Sequence, residues 1–129
     1  MQGGGAPPLR SLSGVEVRPH RFRNLSTLRV QGHPVPIATT QLARLLGLAF
    51  LSREKAGSGL FIPRCRSVHT FGMRFPIEVI FLDGEMQLVR TAGCVLPGRF
   101  VFDRQASAVL ELVLPRGETT ESHDLSTAR

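Results

Sequence analysis

Apolar positions along this chain fall into short runs with two different periods. "PIEVIFLD" (76–83) is β-rich and apolar on both faces, which predicts a central strand. "STLRV" (26–30) and "PVPIA" (34–38) flank "QGH" and predict two short strands about a tight turn. Pro34 and Pro36 lack amide donors, so the second strand must be an edge or an irregular one. "TQLARLLGLAFL" places Leu42, Leu45, Leu46 and Ala49 at helical spacing, a stripe of three to four turns. Thr39 or Thr40 is positioned to cap it, and Gly47 interrupts it. "SREKAGSG" (52–59) reads as a polar connection, and "LFIP" (60–63) as a strand stopped by Pro63. Asp83-Gly84 is a hairpin turn signal leading into a return strand, "MQLVRTAGCV" (86–95). "PGRFVFDRQA" (97–106) is a loop or short strand. "SAVLELVL" (107–114) is a last strand with Leu110, Leu112 and Leu114 on one face. Sequential strands with short links favour antiparallel pairing. The fold expected is α+β and mainly β: a small curled antiparallel sheet or partly open barrel with one main helix across an opening.

Composition bounds this picture. At 129 residues the chain suits a single domain. Residues 1–23 are rich in Gly, Pro, Ser and Arg without a sustained period, and read as a disordered basic tail. Residues 24–115 form the compact β-rich domain, and 116–129 a polar C-terminal tail. The net charge of +6 is almost entirely arginine, and Lys55 is the sole lysine. Arg10, Arg18, Arg21, Arg23 and Arg29 concentrate positive charge near the N-terminus, where it attracts phosphate or anionic lipid, or is simply solvated. Trp and Tyr are absent, which removes the usual base-stacking platform and disfavours nucleic acid as a partner. Two cysteines make no disulfide framework, and "MQGGGAPPLRSLSG" lacks the apolar stretch of a signal peptide. No apolar run approaches the ~20 residues that cross a bilayer. The expectation is a cytoplasmic protein with reduced thiols and no membrane partner.

Chemistry-bearing residues gather in "RCRSVHTFGM" (64–73). On a strand, Cys65, Ser67, His69, Phe71 and Met73 share one side; on a helix, Cys65, His69 and Met73 still share a face. Thiolate, imidazole and thioether suit Cu(I) or, with further ligands, Zn(II). No CxxC, HxxxH or second Cys/His cluster accompanies them, so neither metal nor cofactor is expected. Arg64, Arg66 and Arg74 offer forks for carboxylate or phosphate. Glu78, on an otherwise apolar strand, needs a partner, and an internal ion pair of Glu78 or Glu111 with Arg66 or Arg74 is the structural alternative to a ligand site. Catalysis by a Cys65–His69 pair requires a helix, because four residues along a strand span ~13 Å. Cys94 is the other thiol, and only folding can bring it to His69.

"LARLLGLAF" (42–50), "GSGLFIPRCRSVHTFGMRFPIEVIFLDGEMQLV" (57–89) and "AVLELV" (108–113) resemble the small bacterial and archaeal family called domain of unknown function 192. The elements that carry the resemblance are Arg44, Gly47 and Leu48; Met73; Pro76, Ile77 and Glu78; Leu82 and Asp83; and Val109 to Leu112. It covers residues 25–114 and implies a mainly β domain with a barrel-like sheet and a helix, no settled activity, and no catalytic residue to transfer. Gly72 stands where many relatives carry Trp, and Glu78 where Asp is usual. The C-terminal segment departs from the family pattern, which leaves closure of the sheet at that edge open; an unpaired edge there would favour dimerisation or strand addition. The reading adopted is a non-enzymatic binding or accessory module, monomeric or an edge-paired dimer. Arg64, Arg66, His69, Met73, Arg74 and Glu78 line its face for a small anion or an acidic partner segment. Its alternatives are a small hydrolase or metal-dependent enzyme using His69 with Cys65 or Cys94, and weak nucleic-acid binding through the N-terminal arginines.

Overall fold

The computed structural model describes residues 18–115. Eight strands and two short α-helices follow in chain order: β1 (Thr27–Val30), β2 (His33–Pro36), α1 (Gln41–Leu46), α2 (Arg53–Ala56), β3 (Gly59–Pro63), β4 (Ser67–His69), β5 (Ile77–Leu82), β6 (Leu88–Val95), β7 (Phe100–Phe102) and β8 (Ala108–Val113). The main sheet is antiparallel with order β3-β8-β5-β6, and β1-β2 and β4-β7 are separate two-stranded ribbons. No barrel closes.

β5 lies inside the sheet, as its two-sided apolar pattern requires, with Ile77, Val79 and Phe81 fully buried. Asp83 organises the turn into β6: its Oδ1 accepts the Glu85 and Gln87 amides, each at 2.9 Å. The question the sequence leaves open, whether the last strand is an unpaired edge, has a plain answer. β8 pairs with β3 on one side and β5 on the other. The sheet edges are β3 and β6, and β3 is partly covered by a parallel bridge between Ile37 and Phe61.

β8 is also covered on both faces. Ala108, Leu110 and Leu112 pack into a cluster with Val35 and Leu28 of the β1-β2 hairpin. Val109 and Val113 point the other way, into the larger core of Phe22, Leu48, Leu60 and Phe81. Alternation sends Glu111 to that larger core as well, and it is 4% exposed.

The main helix is shorter than its stripe predicts. The Thr40 side chain caps it by accepting from the Ala43 amide at 3.1 Å. Gly47 ends it at φ 52°, its amide donating to the Ala43 carbonyl. Leu45 consequently remains 69% exposed, while Ala43, Leu48 and Ala49 enter the core. The polar connection contains a second helix, because the Ser52 hydroxyl accepts the Lys55 amide and Ala56 buries.

The N-terminal boundary also moves. Residues 20–22, placed in the tail by composition, form a 3₁₀ turn whose Phe22 is 1% exposed. Arg21 anchors it by donating to the Gly47 and Ala49 carbonyls at 2.7 and 2.8 Å. The rest of the two predicted tails, 1–17 and 116–129, including Arg10, lies outside the described residues. Among the described residues no helix is long and apolar enough to cross a membrane.

Candidate functional site

The decapeptide is neither a continuous strand nor a helix. The chain leaves β3 through Arg64 at φ 50°, and Arg44 holds this bend by donating to the Pro63 and Arg64 carbonyls at 2.5 and 3.0 Å. The Cys65 amide then bonds the Ser107 carbonyl at 3.1 Å. Three residues pair as β4 with β7, in the register Ser67–Phe102, Val68–Val101 and His69–Phe100. Buried Thr70 ends the pairing. Its hydroxyl donates to the Leu96 carbonyl at 2.7 Å and accepts the Arg99 amide at 2.8 Å. The turn at Phe71-Gly72 breaks the alternation. Gly72 sits at φ 81° against the Phe50 ring, where a Cβ would lie 2.7 Å from the ring carbon. Met73 therefore turns into the core, 8% exposed, and is a packing residue.

Two recesses flank this segment, and Cys65 lines both. The inner cavity, about 70 Å³, lies between the end of α1 and β4, with Arg44, Cys65, Ser67, His69 and Glu111 among its lining residues. The outer recess, about 470 Å³, is lined by Arg64, Cys65, Arg66, Ala106 and Ser107. Arg64 and Arg66 are exposed, and neither guanidinium has an ion-pair or hydrogen-bond partner among the described residues. The six expected site residues are thus distributed. Arg64 and Arg66 share the outer recess, and His69 belongs to the inner cavity. Arg74 is exposed and lines neither. Glu78 lines a third recess with His33 and Arg53, toward the opposite end of β8.

The expected internal ion pair does not form. Arg90–Asp103, at 2.9 Å, is the sole salt bridge among the described residues. Arg90 holds the Asp103 carboxyl below its usual range. Glu111 has no hydrogen bond or ion pair among them, and burial pushes its pKa up to about 8. It is a neutral carboxylic acid at pH 7.

Glu111 is the residue that pattern reading passed over as a site. Its signal in the sequence is a single acid in "AVLELV", flanked by apolar residues of both parities. Leu110 and Leu112 mark one apolar face, and Val109 and Val113 mark another. Such a strand has no solvent side for its charge.

The remaining groups argue against nucleophilic chemistry. Burial pushes the Cys65 thiol up, and its Sγ donates to the Ser67 carbonyl at 3.0 Å. A nucleophilic cysteine needs the opposite shift. His69 is exposed, stacks on Phe71 at 5.3 Å, and its Nδ1 accepts the Phe71 amide at 3.3 Å. Cys94, free and half-buried on β6, lines none of these recesses. No group of three or more His, Cys, Asp or Glu side chains among the described residues is placed to hold a metal ion.

An open antiparallel sheet with two covering ribbons and two short helices defines the class: a small, mainly β domain. The family model DUF192, described as "Uncharacterized ACR", matches residues 24–127, and the chain belongs to that family. The match includes the C-terminal segment that the sequence pattern set apart. No curated protein matches the chain. Two solved structures are similar to it. A protein of unknown function from Novosphingobium aromaticivorans is 17% identical, covering 77% of this chain and 88% of that one, with a TM-score of 0.51. A "putative transcription regulator" from Sinorhizobium meliloti is 18% identical, covering 78% of this chain and 82% of that one, with a TM-score of 0.58. At these identities the likeness is one of fold.

Proposed function

We propose that this chain is a non-enzymatic binding module that takes a small anionic ligand at the outer recess. The observation that carries this reading is the pair Arg64 and Arg66, two arginines lining one recess whose guanidiniums have no partner among the described residues. Arginine forks bind carboxylate and phosphate bidentately, and two of them lining one recess with Ser107 match a multidentate anion such as citrate or phosphate. The backbone around them is tied down at several points. The Pro63 and Arg64 carbonyls accept from Arg44, and the Arg66 carbonyl accepts the Asp103 amide. That leaves the guanidiniums available on a held loop, which limits the ordering penalty on binding. The protonated state of Cys65 supports a binding role over a hydrolytic one. The two free thiols agree with a reducing, cytoplasmic setting.

Thermal unfolding with citrate, phosphate or chloride at matched ionic strength tests the proposal. Citrate or phosphate at ten times Kd should stabilise the chain by about 1.4 kcal/mol, a rise of several degrees that chloride does not reproduce. Arg66→Ala or Arg64→Ala should remove the rise, whereas Arg74→Ala should leave it. No response across the anions, or an equal response in Arg66→Ala, contradicts the proposal. Binding of an acidic peptide in the absence of any small-anion response assigns the surface to a protein partner.

A further inference from the structure

The inner cavity raises a question separate from the outer recess: what meets the Glu111 carboxyl? Glu111 sits at the centre of the main sheet, opposite Leu60 of β3 and Val79 of β5. Its side chain reaches under the end of α1, where Oε1 lies 3.8 Å from the position a Cβ would take on Gly47. Most polar groups nearby are already engaged, and the Ser67 hydroxyl, which also lines the cavity, makes no hydrogen bond with a described residue. The Gly47 amide donates to Ala43, and the Gly47 carbonyl accepts from Arg21. The Cys65 thiol donates to Ser67, and Arg44 donates to Pro63 and Arg64. Leu46, Leu48, Ile62 and Val68 supply apolar wall. A buried carboxyl with no partner among the described residues, aimed into a cavity, implies an occupant, since buried polar groups are nearly always hydrogen-bonded.

The size and charge of the cavity narrow that occupant. About 70 Å³ is far below a pocket for a drug-sized ligand but admits waters or a molecule of a few heavy atoms. Arg44 brings a positive charge to the wall, and the exposed edge at His69 and Leu45 gives access. A cationic occupant would meet the Arg44 charge. A small anion is attracted by it, provided that the glutamate facing it carries its proton and donates. We infer that the inner cavity is a site for a small monocarboxylate of acetate size, held by a hydrogen bond donated from the Glu111 carboxylic acid with the Arg44 charge alongside.

Burial supplies the state the site needs. With a pKa of about 8 the glutamate keeps its proton at pH 7 and has largely lost it at pH 9. Binding should therefore weaken about tenfold from pH 7 to pH 9. The other groups facing Glu111 are Arg44 and Gly47 of α1 and its end, Cys65 and His69 around β4, and Arg21 behind Gly47. Of these, Cys65 and His69 are the other ionisable side chains without a fixed charge, and Glu111→Gln, which leaves both in place, isolates the part that Glu111 plays. The amide is a donor that cannot ionise.

Acetate is titrated against the full chain at pH 7 and pH 9, with chloride as the ionic-strength control, and followed by ¹³C NMR of labelled glutamate carboxyls and by thermal unfolding. The expected result is saturable binding at pH 7, about tenfold weaker at pH 9, with the Glu111 titration midpoint displaced upward by acetate. Glu111→Gln should bind at both pH values with little change, and Glu111→Leu should not bind. Arg66→Ala should leave the acetate-induced displacement of the Glu111 titration midpoint as in the parent, which distinguishes this site from the outer recess. No saturable displacement of the Glu111 resonance overturns the inference and leaves water as the occupant. So does equal binding in Glu111→Leu, a pH dependence that survives in Glu111→Gln, or loss of the Glu111 displacement in Arg66→Ala. Should Glu111→Leu fail to fold, the contrast between parent and Glu111→Gln decides alone.

Discussion

Replacing Glu111 by Gln should change how the stability of this chain depends on pH. In the unfolded chain this carboxyl titrates near its ordinary value of 4.5, and in the folded chain near 8. Between those values the unfolded state has released a proton that the folded state retains. Stability must then fall as pH rises, by about 1.4 kcal/mol per unit at most. Below the ordinary value both states are protonated and the effect vanishes. Above pH 8 both are ionised and the loss has levelled off. Going from pH 5 to pH 8, the parent should lose roughly 3 kcal/mol relative to Glu111→Gln. That is a large share of a domain stability of about 5–15 kcal/mol. Urea unfolding of both proteins at pH 5, 6, 7 and 8, at fixed ionic strength, measures the difference directly. Other titrating groups are common to both chains; Cys65, the one coupled to Glu111, is held protonated by burial across this range. The curves should converge toward pH 5, and the variant should pull ahead toward pH 8. Glu111→Leu, with apolar walls around it, should be the more stable of the two variants at pH 8. Parallel stability profiles for parent and Glu111→Gln refute the reasoning, because they mean the carboxyl titrates alike in the folded and unfolded chains.

Thr70→Val should destabilise the chain by roughly 2–4 kcal/mol in urea unfolding, because it strands the Leu96 carbonyl and the Arg99 amide that the hydroxyl joins. Thr70→Ser should recover most of that loss, and equal stability of the Val variant counts against the clip. Gly59→Ala should disrupt the β3-β8 pairing, since the new Cβ would lie 2.0 Å from the Glu111 carbonyl oxygen. Hydrogen exchange should show β3 amides losing protection first, and unchanged protection argues against so tight an approach. Cys65 should alkylate with iodoacetamide at pH 7 more slowly than a free cysteine, because burial holds its thiol protonated. A rate at or above the free-cysteine value would reopen the nucleophile reading.

Local signals made much of the fold legible in the sequence. The doubly apolar run at Ile77–Leu82 marked the interior strand, Thr40 and Gly47 marked the ends of α1, and Asp83 marked the hairpin. What escaped depends on contacts between distant segments. Phe22 looks like part of a tail until the core that buries it is assembled, and Arg21 is tied to carbonyls that appear only when α1 ends at Gly47. Glu111 was hidden for a related reason. The apolar residues of both parities around it hint at a strand with no wet side, but what makes the site is the insertion of β8 between β3 and β5, under both clusters, which no local pattern gives. The candidate face was legible as a segment but not as a geometry. Alternation assumed through 64–74 fails at the positive φ of Arg64 and at the turn of Gly72, so Met73 goes inward and His69 parts from Arg64 and Arg66.

The reading of this chain as an anion-binding module rests on Arg64 and Arg66 acting together, and NMR of their side-chain Nε–H groups during a citrate titration observes that directly. Both resonances should shift with one common saturation curve, together with the backbone amides of Ala106 and Ser107 that line the same recess. Shifts spread over exposed arginines such as Arg29, Arg74 and Arg104 without saturation would show diffuse charge screening and contradict the account.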